Sequence, residues 1–208
     1  MITPAQAVLA AQATYVTSPT FVGQGDQLNE SIHVNVSEIN GELLVSHRGT
    51  RAPQDWIRDF MAWTTEDHIL VPHDALGPLH YGIYEAALTI ISQIESVVGD
   101  RPHYQIGHSL GAALAILVGG IMAARGKPPV QIFAFEPPRV GTSKLVNIVQ
   151  PLTQAWRYGD DPVTEVPLTT LLFPYEQVTL TRIGAPMQPP TACHAIANQV
   201  AVLAPEGK

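Results

Sequence analysis

The sequence predicts an α/β fold: a mixed, mostly parallel sheet with helices on both faces and an antiparallel hairpin near its N-terminus. Three observations carry this expectation. Ile32, Val34 and Val36 alternate with polar residues, Asn40-Gly41 supplies a turn that tolerates positive φ, and Leu43 to Ser46 resumes an extended run, which is the signature of a hairpin. His103 to Ile106, Ser109 to Ala124 and Val130 to Phe135 then read strand, helix, strand, and that order implies parallel strands. Finally, 46% of the 208 residues are hydrophobic and only 14% are charged, as a sheet covered on both faces requires.

The remaining elements follow in order. Thr3-Pro4 pairs a capping hydroxyl with a residue preset for a first helical turn, so the run Ala5 to Val16 behind it predicts a short helix. Between Leu79 and Val98 the residues Ile83, Ala86, Ala87, Ile90, Ile91 and Ile94 recur at spacings of three and four, predicting one helix that ends at Gly99-Asp100. Gly126, Pro128 and Pro129 punctuate the next connection. Gln154 to Tyr158 reads as extended, a hairpin is expected around Val178 to Ile183, and Thr191 to Leu203 reads as a terminal helix. Without an internal repeat or a low-complexity linker, residues 1–208 are expected to form a single domain.

Composition narrows the function classes. Acidic residues number 18 against 11 basic ones, a net charge of −7, which argues against nucleic acid or an anionic membrane as an electrostatic partner. The single cysteine, Cys193, excludes an intrachain disulfide and a cysteine-rich zinc site. The apolar run Leu110 to Ala124 is interrupted by Gly119-Gly120 and is shorter than the roughly 18 residues a membrane span needs, so no transmembrane segment is expected. The N-terminus lacks the cationic region of a secretory signal, and a cytoplasmic or non-classically exported protein is expected. Glu66, Asp67, His68, His73 and Asp74 have no recognised ligand spacing and read as a solvated acidic loop, so neither metal nor cofactor is expected.

The chemistry is carried by Gly107-His108-Ser109-Leu110-Gly111, placed between a short apolar strand and a long helix. That is the strand-turn-helix context of a nucleophile elbow. Glycines on either side of the serine let the backbone turn sharply, and the helix beginning there aims N–H groups at the exposed hydroxyl. A serine hydroxyl is a weak nucleophile near neutral pH, so Ser109 needs a base.

At these residues the sequence resembles the class 3 lipases of the fungal triacylglycerol-lipase type, within the α/β-hydrolase superfamily. His47-Arg48-Gly49-Thr50 and Asp55-Trp56-Ile57-Arg58-Asp59-Phe60 are similar to the family's early strand end and its continuation. His80-Tyr81-Gly82-Ile83-Tyr84, the elbow, Pro138-Arg139-Val140-Gly141 and Asp161-Pro162-Val163-Thr164-Glu165-Val166-Pro167 match in the family's order, and His194 lies where the family has its histidine. The resemblance covers roughly residues 30 to 205.

The resemblance implies a small α/β-hydrolase fold and a Ser-Asp-His triad. Chain order in that superfamily leaves His194 as the base, since the other seven histidines precede Ser109. Its neutral form is the working one, so activity is expected to fall on acidification. The family pattern aligns Asp161 as the orienting carboxylate, with its neighbour Asp160 and then Glu165 as alternatives. Oxyanion donors are implied at Leu110, through its backbone N–H, and at Thr50. Trp56, Ile57, Phe60 and Met61 form one apolar face, which reads equally as a lid over the substrate or as a helix packed on the core.

Two positions depart from the family: His47 replaces an aromatic residue and Glu136 stands where glycine is common. Both are expected to lie off the triad and to bear only on the acyl pocket. The expected activity is hydrolysis of acylglycerol-type esters, with a small ester or lipid as substrate and transient contact at a lipid interface. The alternatives are a phospholipase A1, a small-ester or polymer esterase, or a catalytically silent binding protein on the same fold.

Overall fold

The computed structural model describes residues 1–28, 30–50, 70–187 and 189–206. The proposed lid residues Trp56, Ile57, Phe60 and Met61, and Glu66, Asp67 and His68, lie outside them. Helix α1 (Pro4–Ala13) opens on a capping box: the Gln6 N–H donates to the Thr3 hydroxyl at 3.3 Å, and the Thr3 N–H donates to the Gln6 side chain at 3.0 Å. Strands β1 (Phe21–Gly25), β2 (Glu30–Ile39) and β3 (Glu42–His47) follow as an antiparallel ribbon. The turn between β2 and β3 places Asn40 at φ 53° and Gly41 at φ 81°, the conformation that Asn-Gly supplies.

The stretch expected as one helix from Leu79 to Val98 divides. Strands β4 (Leu70–Val71) and β5 (Leu79–His80) pair with each other, and helices α2 (Tyr81–Leu88) and α3 (Ile91–Val98) follow with a break at Thr89-Ile90. The His80 ring accepts from the Ile83 N–H at 3.4 Å, capping α2 and marking its start. Periodicity is blind to the later break, because Ile83, Ala86, Ala87, Ile90, Ile91 and Ile94 are all buried on the core whether or not the helix is continuous.

Then come β6 (His103–His108), α4 (Leu110–Ala124), β7 (Gln131–Phe135), α5 (Ser143–Val149), β8 (Thr153–Tyr158), β9 (Leu180–Ile183) and α6 (Ile196–Leu203). The main sheet has the order β1-β2-β3-β6-β7-β8-β9 and is parallel from β3 onward. In place of the hairpin expected at Val178 to Ile183 there is one strand, β9, parallel to β8. An extended apolar run predicts a strand but does not choose its partner. The expected helix Thr191 to Leu203 is likewise a 3-10 turn, Pro190–His194, followed by α6, with Ala195 extended between them.

Alternation along the strands sorts the core into two layers. Tyr104, Ile106, Phe133, Phe135 and Trp156 face α1 and α6, with Val8 and Val200 among their neighbours. Ile132 and Ala134 point the other way, toward α4 and α5. Helix α4 is buried from Leu110 to Met122 because the sheet, α2 and α5 surround it, which accounts for its lack of a polar face. Among the described residues no helix is long and apolar enough to cross a membrane. The Phe135 and Trp156 rings stack at 5.0 Å between centroids, and Phe133 and Trp156 at 6.1 Å. The parallel register sets the C-terminal ends of β6, β7 and β8 side by side, so the residues that follow them share one edge of the sheet.

Candidate active site

Ser109 follows β6 directly and has φ 59° and ψ −130°, a left-handed conformation in a residue that carries a side chain. Such strain costs on the order of 1–3 kcal/mol and persists only where the surroundings enforce it. The flanking glycines enforce it by close approach, without positive φ of their own. A Cβ on Gly107 would stand 2.1 Å from the Gly111 carbonyl oxygen, and one on Gly111 would stand 2.2 Å from that of His47. The first turn of α4 is thereby pressed onto the ends of β3 and β6, and the serine takes the strained position between them.

The His194 Nε2 lies 2.7 Å from the Ser109 Oγ, and its Nδ1 lies 2.7 Å from the Asp161 Oδ2. All three residues are buried. An ionised carboxylate only accepts, so Nδ1 carries the ring proton and Nε2 is free to accept from the serine hydroxyl. The other Asp161 oxygen accepts from the Val163 N–H at 3.0 Å, fixing the carboxylate at the head of a 3-10 turn. The alternatives are engaged elsewhere. Asp160 is half-exposed and pairs with Arg182 at 2.5 Å, while Glu165 bridges Arg139 at 3.0 Å and Arg157 at 2.5 Å.

Gly49 brings β3's continuation against Ser109: a Cβ there would stand 3.2 Å from the Ser109 Cβ. Thr50, the next residue, is buried, and its hydroxyl has no hydrogen-bond partner among the described residues. Leu110 opens α4, where N–H groups have no intrahelical acceptor. Leu110, directly after Ser109, and Thr50, directly after the glycine packed against it, thus flank the serine.

Glu136 does not stand off the triad as expected. Its Oε2 lies 3.6 Å from the His194 Nδ1 and 2.9 Å from the His108 Nε2. The reason is register: His108 and Phe135 are paired across β6 and β7, so the residue after Phe135 meets the end of β6. His108 also faces the His194 carbonyl oxygen at 3.0 Å and the Tyr15 hydroxyl, through Nδ1, at 2.8 Å. A carbonyl oxygen only accepts, so His108 donates through Nε2 and accepts from Tyr15.

Burial pushes Glu136 up to about 8 and His108 down to about 4, leaving both largely neutral near pH 7 and joined by a hydrogen bond with little ionic character. Burial also raises Tyr15 above the ordinary phenol range. His47, the other departure, stays off the triad: it bonds Gln105 at 2.7 Å, and burial lowers it to about 4. Sequence reasoning missed Tyr15, His108 and Glu136 as neighbours of the triad. The available signal was Glu136 itself, a charged side chain directly after the buried run Ile132 to Phe135.

Among the described residues, His108, Glu136 and His194 present ligand atoms within 4.8 Å of one another, the spacing a metal can use. Each of those atoms already faces a hydrogen-bonding partner, so the set reads as a polar chain beneath the triad.

The family profile described as "Lipase (class 3)" matches residues 44–171, more than half of the chain. The chain belongs to the class 3 lipase family. The secreted mono- and diacylglycerol lipase A of Penicillium cyclopium is 26% identical over 146 residues, covering 67% of this chain and 47% of that protein, so the chain spans about half the length of this relative. Among solved structures, a nonglycosylated Yarrowia lipolytica LIP2 lipase superposes with a TM-score of 0.71 at 18% identity, over 92% of this chain and 82% of that one. The Rhizomucor miehei triacylglyceride lipase gives a TM-score of 0.66 at 16% identity, over 85% and 77%. At such identities the two structures speak for the α/β-hydrolase fold alone.

Proposed function

We propose that this class 3 lipase family member is a serine carboxylic-ester hydrolase that cleaves acylglycerol-type esters through an acyl-enzyme on Ser109. The observation that carries the reading is the continuous hydrogen-bonded line from the Ser109 Oγ through the His194 ring to Asp161, with both contacts at 2.7 Å. The substrate class is supported by a relative named as a secreted mono- and diacylglycerol lipase.

In this mechanism the His194 Nε2 takes the Ser109 proton as the Oγ adds to the ester carbonyl. Asp161 holds the Nδ1–H tautomer and balances the imidazolium as it forms. The Leu110 N–H, with Thr50, donates to the oxyanion; one such donor is typically worth about 10²–10³ in kcat. His194 then protonates the leaving alcohol, and water activated by the same imidazole releases the acid and restores Ser109. His108 stands behind His194 and takes no proton from the substrate.

Hydrolysis of p-nitrophenyl esters from acetyl to palmitoyl, together with mono-, di- and triacylglycerols, tests the reading. Turnover that disappears in Ser109→Ala is expected. Turnover unchanged in that variant, or none in the native chain on any of these esters, would overturn it. The preferred chain length then separates a lipase from a short-chain esterase.

A further inference from the structure

Glu136 is fully buried, yet its backbone sits at φ 55°, a conformation costly for any residue with a Cβ. Burying a carboxyl is itself unfavourable unless it is partnered. Two unfavourable choices at one position, immediately beside the triad, call for a compensating role. The carboxyl lies 2.9 Å from His108 and 3.6 Å from the His194 Nδ1, within about 1 Å of hydrogen-bond reach of the proton that Asp161 already accepts. His108 in turn holds the His194 carbonyl at 3.0 Å, so the pair restrains both the ring and the backbone of the base.

We propose that Glu136 is a positioning residue for the triad: a second carboxyl group, anchored by His108, that supports the His194 imidazole beside Asp161 and partly replaces Asp161 when that residue is neutralised. The inference rests on His194 acting as the base of Ser109.

The groups facing Glu136 come from every neighbouring element: His108 from β6, Asp161 from the turn after β8, His194 and Gln199 around the start of α6, and Tyr15 after α1. Because burial holds this carboxyl up to about 8, its charge grows as the pH rises through that value. A nearby carboxylate favours the imidazolium that forms during attack. The positioning role therefore strengthens on the alkaline side.

The test compares Asp161→Asn, Glu136→Gln and the double variant. Where the orienting aspartate works alone, its amide replacement lowers kcat about 10⁴-fold. Here Asp161→Asn is expected to keep activity at least about tenfold above that level, with the added Glu136→Gln substitution removing the remainder. Glu136→Gln alone is expected to abolish any rise of kcat/KM through pH 8, a profile that a merely structural residue would not change. Glu136→Gly, which relieves the positive φ, replaces Gln in a second double variant to separate chemistry from folding.

The low-field Nδ1–H resonance of His194, followed by proton NMR, requires no turnover. It is expected to survive in Asp161→Asn and to vanish in both doubles. A full loss of rate and resonance in Asp161→Asn alone, or doubles that match that single variant, would overturn the proposal. Failure of the hydrolase reading appears separately, as turnover that does not depend on Ser109.

Discussion

Two regions of equal burial meet at the C-terminal ends of β6 and β7 and are built on opposite principles. On one side Phe133, Phe135 and Trp156 stack beneath α1 and α6. One residue further along, Ser109, Glu136, His108, Asp161 and His194 are just as buried but are polar, and two of them, Ser109 and Glu136, have strained backbones. Backbone pairing of β6, β7 and β8 holds the strand ends in register. That register brings the polar residues within hydrogen-bond distance of one another. Stability therefore belongs to the first region and chemistry to the second, and substitutions ought to separate them.

The largest separation is expected at Ser109→Ala, which removes the proposed nucleophile and leaves the aromatic layer untouched. Ester turnover should drop by about 10⁴-fold or more while the melting temperature stays near that of the native chain. A large loss of stability in this variant would blur the distinction.

Thr50→Val removes an unpartnered buried hydroxyl and keeps the side chain's shape. It should lower kcat, by up to the 10²–10³-fold typical of an oxyanion donor, with the fold intact by circular dichroism. Unchanged kinetics would remove Thr50's side chain from the site. Phe135→Ala is the converse case: denaturant unfolding should show a loss of about 3–5 kcal/mol, as for other buried aromatics.

The smallest effect is a dependence on pH. A carboxyl raised from 4.5 to about 8 binds its proton in the native chain after the unfolded chain has released it. It therefore weakens the fold progressively as the pH climbs through that window and adds no further penalty above it. Thermal melts at the two ends of the window should show Glu136→Gln gaining on the native chain as the pH rises. A constant difference between the two would mean that Glu136 is ionised throughout.

What the sequence revealed follows the same division. The hairpin at Asn40-Gly41, the cap at Thr3 and the strand within Val130 to Phe135 were legible because each is decided by neighbours in the chain. The break at Thr89-Ile90 was not, since both helices keep their apolar residues in phase. Nor was the partner of β9, which tertiary packing selects. In the site, Ser109, Asp161 and His194 stood out through an ordered set of motifs, and the structure brings those three together. Tyr15, His108 and Glu136 were hidden because their meeting depends on the register of β6 against β7 and on where α1 ends. A glutamate ahead of two prolines looks locally like a surface charge.

The central claim is that Ser109 is a nucleophile activated by His194. It is tested most directly by incubating the protein with a p-nitrophenyl alkylphosphonate and weighing it by mass spectrometry. The account predicts a single phosphonyl adduct mapped to Ser109, with release of p-nitrophenolate, and no such adduct in Ser109→Ala or His194→Ala. An unlabelled native chain, or a label at the same rate in His194→Ala, would contradict it.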